Sequence, residues 1–292
     1  MEKYKVIIIG SGIAGMTASI NLKRAGINPL IIENNVPGGT LNYIPNIENY
    51  PGYESISGPD LAMNIYNQVN NLGIKIKYMN IDNIDLNKKI INNEISFDYL
   101  IIATGRKNKT LGIDNEDKLL GKGISTCALC DGMFYKDKDV IVVGGGSSAL
   151  TESLYLANIC RKVTIIIRKE AFTGHKYLID RVENTKNIKV INNSNIIKYN
   201  IKDNILVSVT LDNNKKIKTN VVFLALGGTP NSELFNVDKD HNYIIVNDKY
   251  QTNIPYVFAI GDVIKKDYYQ LTTAAGDAVI ASNNIIRINN ER

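Results

Sequence analysis

The stretch Tyr4-Lys5-Val6-Ile7-Ile8-Ile9-Gly10-Ser11-Gly12-Ile13-Ala14-Gly15 decides the fold. Its unbroken run of Val and Ile is the pattern of a parallel strand buried on both faces. A glycine turn follows, Met16 to Arg24 fits a helix stopped at Gly26, and Pro29-Leu30-Ile31-Ile32-Glu33 is a second strand ending in a carboxylate. Strand, Gly-x-Gly-x-x-Gly, helix and strand in that order make a dinucleotide-binding βαβ unit. The glycines allow a tight turn and close approach of a pyrophosphate, and the helix N-terminus offers N–H groups and the positive end of its dipole. Glu33, 18 residues after Gly15, is placed to accept a bond from a ribose 2′-hydroxyl.

The same device returns at Asp139-Val140-Ile141-Val142-Val143-Gly144-Gly145-Gly146-Ser147-Ser148-Ala149, with Ala149 in the place of the third glycine. A helix is predicted over 149–159 and a strand over 162–167. That strand ends in Arg168-Lys169 instead of a carboxylate. Two cations there suit an adenosine 2′-phosphate, or they simply cap a strand at the surface. Two further apolar strands, 97–105 and 221–228, each run into a small-residue turn, so one architectural idea is used twice. Between the units, the 37–53 loop is rich in glycine and proline. Residues 57–72 repeat Leu61, Ile65, Val69 and Leu72 at helical spacing, and 74–95 predicts short hairpins. Residues 106–118 are polar and read as a crossing between domains. Past Tyr250, a short strand reaches Gly261-Asp262, and Gln270-Leu271 opens a small-residue helix to about Ile288 that returns to the first domain.

At 292 residues the chain suits two domains, with 44% hydrophobic and 22% charged residues. No signal peptide is read at the start and no apolar run reaches the roughly 18 residues of a membrane helix, so a cytoplasmic, reducing setting is expected. The net charge of +5 comes from scattered lysines without a basic stripe interleaved with aromatics, which argues against nucleic acid. His175 and His241 have no catalytic companion in sequence, and Cys160 reads as an inert, partly buried thiol.

Thr126-Cys127-Ala128-Leu129-Cys130-Asp131-Gly132 carries the remaining chemistry. Cys-x-x-Cys spacing serves redox disulfides, zinc sites and structural pairs alike. A four-ligand zinc site needs more than three cysteines and two unclustered histidines provide. In a reducing compartment, between two nucleotide-type turns, a redox disulfide is the favoured reading.

Taken together, these motifs and their order resemble the low-molecular-weight, bacterial-type thioredoxin reductases over essentially the whole chain. The matches are Gly10 to Gly15, Gly38-Gly39 with Glu48-Asn49 and Pro51-Gly52, Ala103-Thr104-Gly105, Cys127 to Gly132, Gly144 to Ala149, and Gly261-Asp262 with Gln270. The resemblance implies an α/β fold of two Rossmann-like dinucleotide-binding domains, the second inserted in the first. The FAD-binding domain would span 1–114 and 246–292, and a pyridine-nucleotide-type domain bearing the cysteines 115–245. It also implies a homodimer, with rotation between domains about linkers near 112–120 and 242–249.

By the same resemblance Gly10, Gly12, Ala14 and Gly15 would hold the FAD pyrophosphate and Glu33 its ribose. Gly39, Asn49, Ala103, Gly105, Gly261, Asp262, Gln270 and Leu271 would line the rest of the flavin. Gly144, Gly146, Ser148, Ala149, Arg168 and Lys169 would hold NADPH. Cys130 would face the flavin, Cys127 would attack the disulfide of thioredoxin, and Asp131 would manage the protons. No metal and no membrane partner is implied. Several positions depart from the family: Thr40 stands for glutamine, Leu129 for threonine, and Tyr269 for an arginine before Gln270. In the family's His-Arg-Arg-x-x-x-Arg signature, Ile167, Lys169 and Thr173 replace histidine, arginine and arginine. NADH or ferredoxin therefore stands as an alternative electron donor, and a flavin-dependent dithiol oxidase as a more distant reading.

Overall fold

The structure, a computed structural model, describes residues 1–44 and 46–291. The chain packs as two compact units, Met1–Lys107 together with the chain from Thr229 onward, and Asn108–Gly228.

In the first unit the opening apolar run is the strand Glu2–Ile9, paired in parallel with Pro29–Glu33 on one side and Ile95–Ile102 on the other. Lys75–Tyr78 extends the sheet beyond Pro29–Glu33, in parallel and not in the hairpin that the sequence suggests. Ile84–Asp85 and Ile90–Ile91 do form a hairpin, laid antiparallel on the start of Ile95–Ile102. Val257–Ala259 joins the far end of that strand in parallel and completes seven strands, so the last part of the chain closes the sheet that the first part begins. Alternate residues of Glu2–Ile9 feed two different cores. Val6 and Ile8 pack with Met16, Tyr99 and Phe258, while Ile7 and Ile9 pack with Leu100, Phe235 and Val257. Each large apolar side chain so buried contributes roughly 1.5–3 kcal/mol, which is why the run tolerates no polar residue between Val6 and Ile9.

The second unit holds a five-stranded parallel sheet in the order Ile188–Ile191, Lys162–Ile166, Asp139–Val143, Val222–Leu224, Ile124–Ser125. The helices Ser147–Ala157 and Lys176–Glu183 cover one face, with Leu150, Leu156, Leu178 and Val182 in the core. On the other face a three-stranded antiparallel sheet of Ile196–Lys202, Ile205–Leu211 and Lys216–Lys218 inserts Tyr199, Leu206 and Val209.

Both crossings fall earlier than 114/115 and 245/246. Residues 111–113 pack with the second unit because their N–H groups donate to the buried Glu116 carboxylate, which also accepts the Tyr199 hydroxyl at 3.1 Å. A buried carboxylate needs such partners, and these hold the segment in place. Phe235, Val237 and Ile244 pack in the first unit's core and take 229–245 with them. The expected linkers at 112–120 and 242–249 thus lie inside units. Among the described residues no helix is long and apolar enough to cross a membrane.

Candidate functional site

Cys127 and Cys130 form a disulfide with their Cα atoms 5.3 Å apart. Cys127 is the N-cap of the single helical turn Ala128–Asp131, which a 3-10 turn, Gly132–Tyr135, continues. The turn is fixed from below: Ala128 is fully buried against Val140 and Leu150. Ser125 holds it from the side, its hydroxyl accepting the Cys127 N–H at 3.1 Å. The Cys130 N–H points at Cys127 Sγ, 3.2 Å away, so a negative sulfur at Cys127 meets a donor already in place. That lowers the cost of a Cys127 thiolate. Asp131 Oδ1 is buried without a hydrogen-bond partner, and burial pushes the carboxyl's pKa up, against a smaller lowering by its bond to Ser125. A carboxyl that keeps its proton to higher pH, on the residue directly after a pair of sulfurs that exchange protons, is suited to general acid–base work. Leu129, Met133 and Phe134 form an exposed apolar rim on the same two turns. Cys160 lies apart: it is buried, its thiol donates to the Tyr135 carbonyl at 3.3 Å, and burial pushes its pKa up to about 11.

The first glycine turn sits at the carboxyl end of Glu2–Ile9. Gly12 is the N-cap of the helix Ile13–Arg24 and no side chain caps it. A Cβ on Gly12 would meet no protein atom within 4 Å, so open space faces the free N–H groups of that helix, beside the buried Ala14 and Gly15. Gly39 lies against it, such that its own Cβ would stand 3.4 Å from the Gly12 Cα. This uncapped, unfilled cradle fits a pyrophosphate. Glu33 is fully engaged: Oε2 accepts Ser11 N–H at 2.8 Å and the Ser11 hydroxyl at 2.6 Å, and Oε1 accepts the N–H groups of Asn34 and Asn35, both at 2.9 Å. The Ser11 contribution is not signalled by the motif, which leaves that position open.

Residues far apart in sequence gather around the same sheet edge. Asn49 Nδ2 donates to Gln270 Oε1 at 3.0 Å, and Gln270 caps the helix Leu271–Asn290 in a reciprocal box with Thr273. Ala103 continues the central strand, its N–H on the Ile9 carbonyl at 2.8 Å, and Gly105 accepts from the Asn231 N–H at 3.0 Å. Gly261 and Asp262 begin the 3-10 turn after Val257–Ala259, and the Gly261 N–H donates to Asp277 at 3.0 Å. Thr40 is exposed in the 3-10 turn Gly39–Tyr43.

The second turn repeats the first. Gly146 caps the helix Ser147–Ala157 without a side-chain bond, its Cβ position is open, Ser148 is exposed and Ala149 buried. Arg168 and Lys169 are exposed, and among the described residues neither joins an ion pair. Two departures have structural reasons. Ile167 is 3% exposed and belongs to the core. The Thr173 N–H and hydroxyl both donate to the Gly145 carbonyl, at 2.8 and 3.3 Å. His175 caps the helix Lys176–Glu183, donates its N–H to Ser147 Oγ at 3.0 Å and stacks on Tyr177; His241 is exposed beside Asp240.

The sequence profile of the pyridine nucleotide-disulphide oxidoreductases matches residues 4–278. The chain is 38% identical to a thioredoxin reductase of Rickettsia typhi, covering 98% of each. Its structure is similar to the crystal structure of thioredoxin reductase from Streptococcus pyogenes, with a TM-score of 0.92 and 34% identity over 99% of each chain. It is also similar, at a TM-score of 0.54 and 27% identity over 100% of each chain, to a ferredoxin-flavin thioredoxin reductase from Clostridium acetobutylicum. With two Rossmann-like units, one inserted in the other, and a disulfide in the inserted one, the chain belongs to the low-molecular-weight thioredoxin reductase family of pyridine nucleotide-disulphide oxidoreductases.

Proposed function

We propose that this protein is an FAD-dependent thioredoxin reductase that takes electrons from NADPH and works as a cytoplasmic homodimer. The observation that carries the reading is the Cys127–Cys130 disulfide with Asp131, a carboxyl whose pKa burial raises, immediately after it. When bound, FAD supplies two-electron transfer between a nicotinamide and a disulfide. The first glycine turn, with its open Gly12 and uncapped helix, holds its pyrophosphate, and Glu33 its ribose.

The protein's own part is thiol–disulfide exchange. Two electrons and two protons convert Cys127–Cys130 to a dithiol. Cys127 loses its proton, stabilised by the Cys130 N–H, and attacks one sulfur of the thioredoxin disulfide. That bond breaks, a mixed disulfide forms, and the departing thioredoxin sulfur takes a proton. Cys130 then attacks Cys127, which releases the second thioredoxin sulfur as a thiol and restores the disulfide. Asp131 holds the proton exchanged in these steps, and the rim of Leu129, Met133 and Phe134 gives a protein substrate an apolar surface beside the sulfurs.

Arg168 and Lys169 would read the 2′-phosphate of NADPH. With Thr173 spent on the glycine turn and Ile167 in the core, fewer cations remain than the resemblance implies, and this favours ferredoxin or NADH as the second reading of the donor. Anaerobic stopped-flow bleaching of the flavin by NADPH and NADH separates them. Fast bleaching by NADPH is expected, whereas failure with both nucleotides in a protein that dithionite bleaches overturns NADPH in favour of ferredoxin. Cys130→Ser should abolish thioredoxin reduction and leave flavin bleaching intact, and turnover retained in that variant would overturn the disulfide relay. Asp131→Asn should lower turnover about 100-fold, in the range of lost acid–base catalysis, and remove one limb of its pH profile. The same change should flatten stability against pH: the folded carboxyl's raised pKa makes the wild type lose stability as pH climbs from the unfolded value to the folded one.

A further inference from the structure

Asp262 stands where the proposed reading sets the flavin's ribityl chain, and its side chain is 27% exposed. Burial pushes its pKa up; Arg106 and Lys266 oppose that, and Asp277 adds to it. Lys266 is already committed, being paired with Asp277. Asp277 also accepts the Gly261 N–H and the hydroxyl of Tyr250, a phenol pushed up to about 12 by burial and therefore protonated. The cation left for Asp262 is Arg106, whose Nε lies 3.5 Å from Oδ2. Arg106 is itself held: its guanidinium carbon is 3.8 Å from the centroid of the Tyr269 ring. Tyr269 is steadied by Tyr243, 5.9 Å away ring to ring, through a bond between the two phenols. A guanidinium held over an aromatic face keeps its charge and loses little freedom when it pairs with a carboxylate.

We propose that Arg106 is a positioning residue for flavin binding: clamped on the Tyr269 ring, its guanidinium keeps the Asp262 carboxylate oriented as an acceptor for the cofactor's hydroxyl groups. The inference rests on the reading of Asp262 as a flavin contact. Position 269, where the resemblance expects an arginine, instead carries the ring on which Arg106 rests. An Asp262 that protonates becomes a poorer acceptor, so loss of Arg106 weakens flavin binding most on the acid side.

The test is FAD release from the full-length holoprotein, read as recovery of free flavin fluorescence on dilution between about pH 5 and pH 9, with thermal melting of each variant alongside. Arg106→Ala is expected to weaken FAD retention about tenfold at neutral pH, in line with loss of a half-buried ion pair that orients a ligand-binding carboxylate, and more steeply as the pH falls. Arg106→Lys restores a charge without the stacked plane and should recover part of the loss. Tyr269→Leu keeps the charge, removes the platform and should give an intermediate loss, which serves if Arg106→Ala does not fold. In an Asp262→Asn background, Arg106→Ala should add nothing. Retention and pH profile within twofold of wild type in both Arg106→Ala and Tyr269→Leu, or fully additive losses with Asp262→Asn, would overturn the inference while the flavin reading stands. A wild-type protein that binds no FAD would overturn the flavin reading itself.

Discussion

Gly10 and Gly144 stand at the same point of the two nucleotide-type units, at φ +103° and +143°, where an added Cβ would overlap a neighbouring strand's carbonyl, Ala103 in one and Ala225 in the other. Up to there the two turns are built alike. They differ in how the segment behind the second strand returns to the turn. In the first unit the strand ends in a carboxylate that the turn itself grips through Ser11 N–H and hydroxyl. In the second, backbone does the work: Thr173 N–H reaches Gly145 and His175 N–H reaches Ser147. The strand-end charges, Arg168 and Lys169, are then left to solvent. A carboxylate drawn inward is set to receive neutral hydroxyls, and cations left outward are set to receive a dianion that arrives from solution. If the proposed FAD and NADPH assignments hold, the geometry of the return, more than the glycines, is what would separate a resident cofactor from an exchanging one.

The largest expected effect breaks the comparison at the shared glycines. Gly10→Ala imposes both a clash and a left-handed φ on the first sheet, and should yield protein without flavin and with a strongly lowered melting temperature. Gly144→Ala imposes the same insult on the inserted unit. It should leave FAD bound and its absorbance spectrum intact, while NADPH bleaching slows at least 100-fold. Equal loss of flavin in both variants would mean that the two turns do not serve separate nucleotides.

A smaller effect tests the outward cations. Removing Arg168 and Lys169 together should raise the KM for NADPH about 10- to 100-fold, the range of one or two charge-assisted hydrogen bonds. NADH should be untouched. Steady-state kinetics with both nucleotides decide it: parallel loss with NADH would give these residues a general electrostatic role in place of reading a 2′-phosphate.

Much of this was legible in the sequence because apolar runs and glycine turns are local signals. Val6–Ile9 and Val140–Val143, each running into a glycine turn, read as buried strands, and the turns after them follow from spacing. The unit boundaries were not legible. Residues 229–245 look polar, and the three apolar side chains that bind them to the first core, Phe235, Val237 and Ile244, follow no period. Nor does a sequence show that Glu116 is a buried acceptor for four donors. Tyr269 looks like an ordinary substitution and Arg106 like one more charge in a polar crossing, and only the fold shows that one rests on the other. Pairings across the chain carry no periodic mark, and here they define the finer features of the candidate site.

The smallest effect tests the two serines, and their signs should be opposite. A carboxylate offers about four lone-pair sites, and the four donors on Glu33 already fill them. A ribose hydroxyl must therefore displace one, and the Ser11 hydroxyl is the donor free to rotate away, since the other three are backbone N–H groups. Ser11→Ala removes that competitor and should tighten FAD up to about fivefold, the equivalent of one ordinary hydrogen bond near 1 kcal/mol. Ser147 has the reverse part: its oxygen accepts the His175 N–H and competes with no ligand for a carboxylate. Ser147→Ala only loosens the returning segment and should weaken NADPH by a similar factor. Flavin release rates for the first variant and KM for NADPH in the second provide the comparison. If Ser11→Ala instead loosened FAD, the serine would act as part of the cradle, and the two returns would be held by one principle after all.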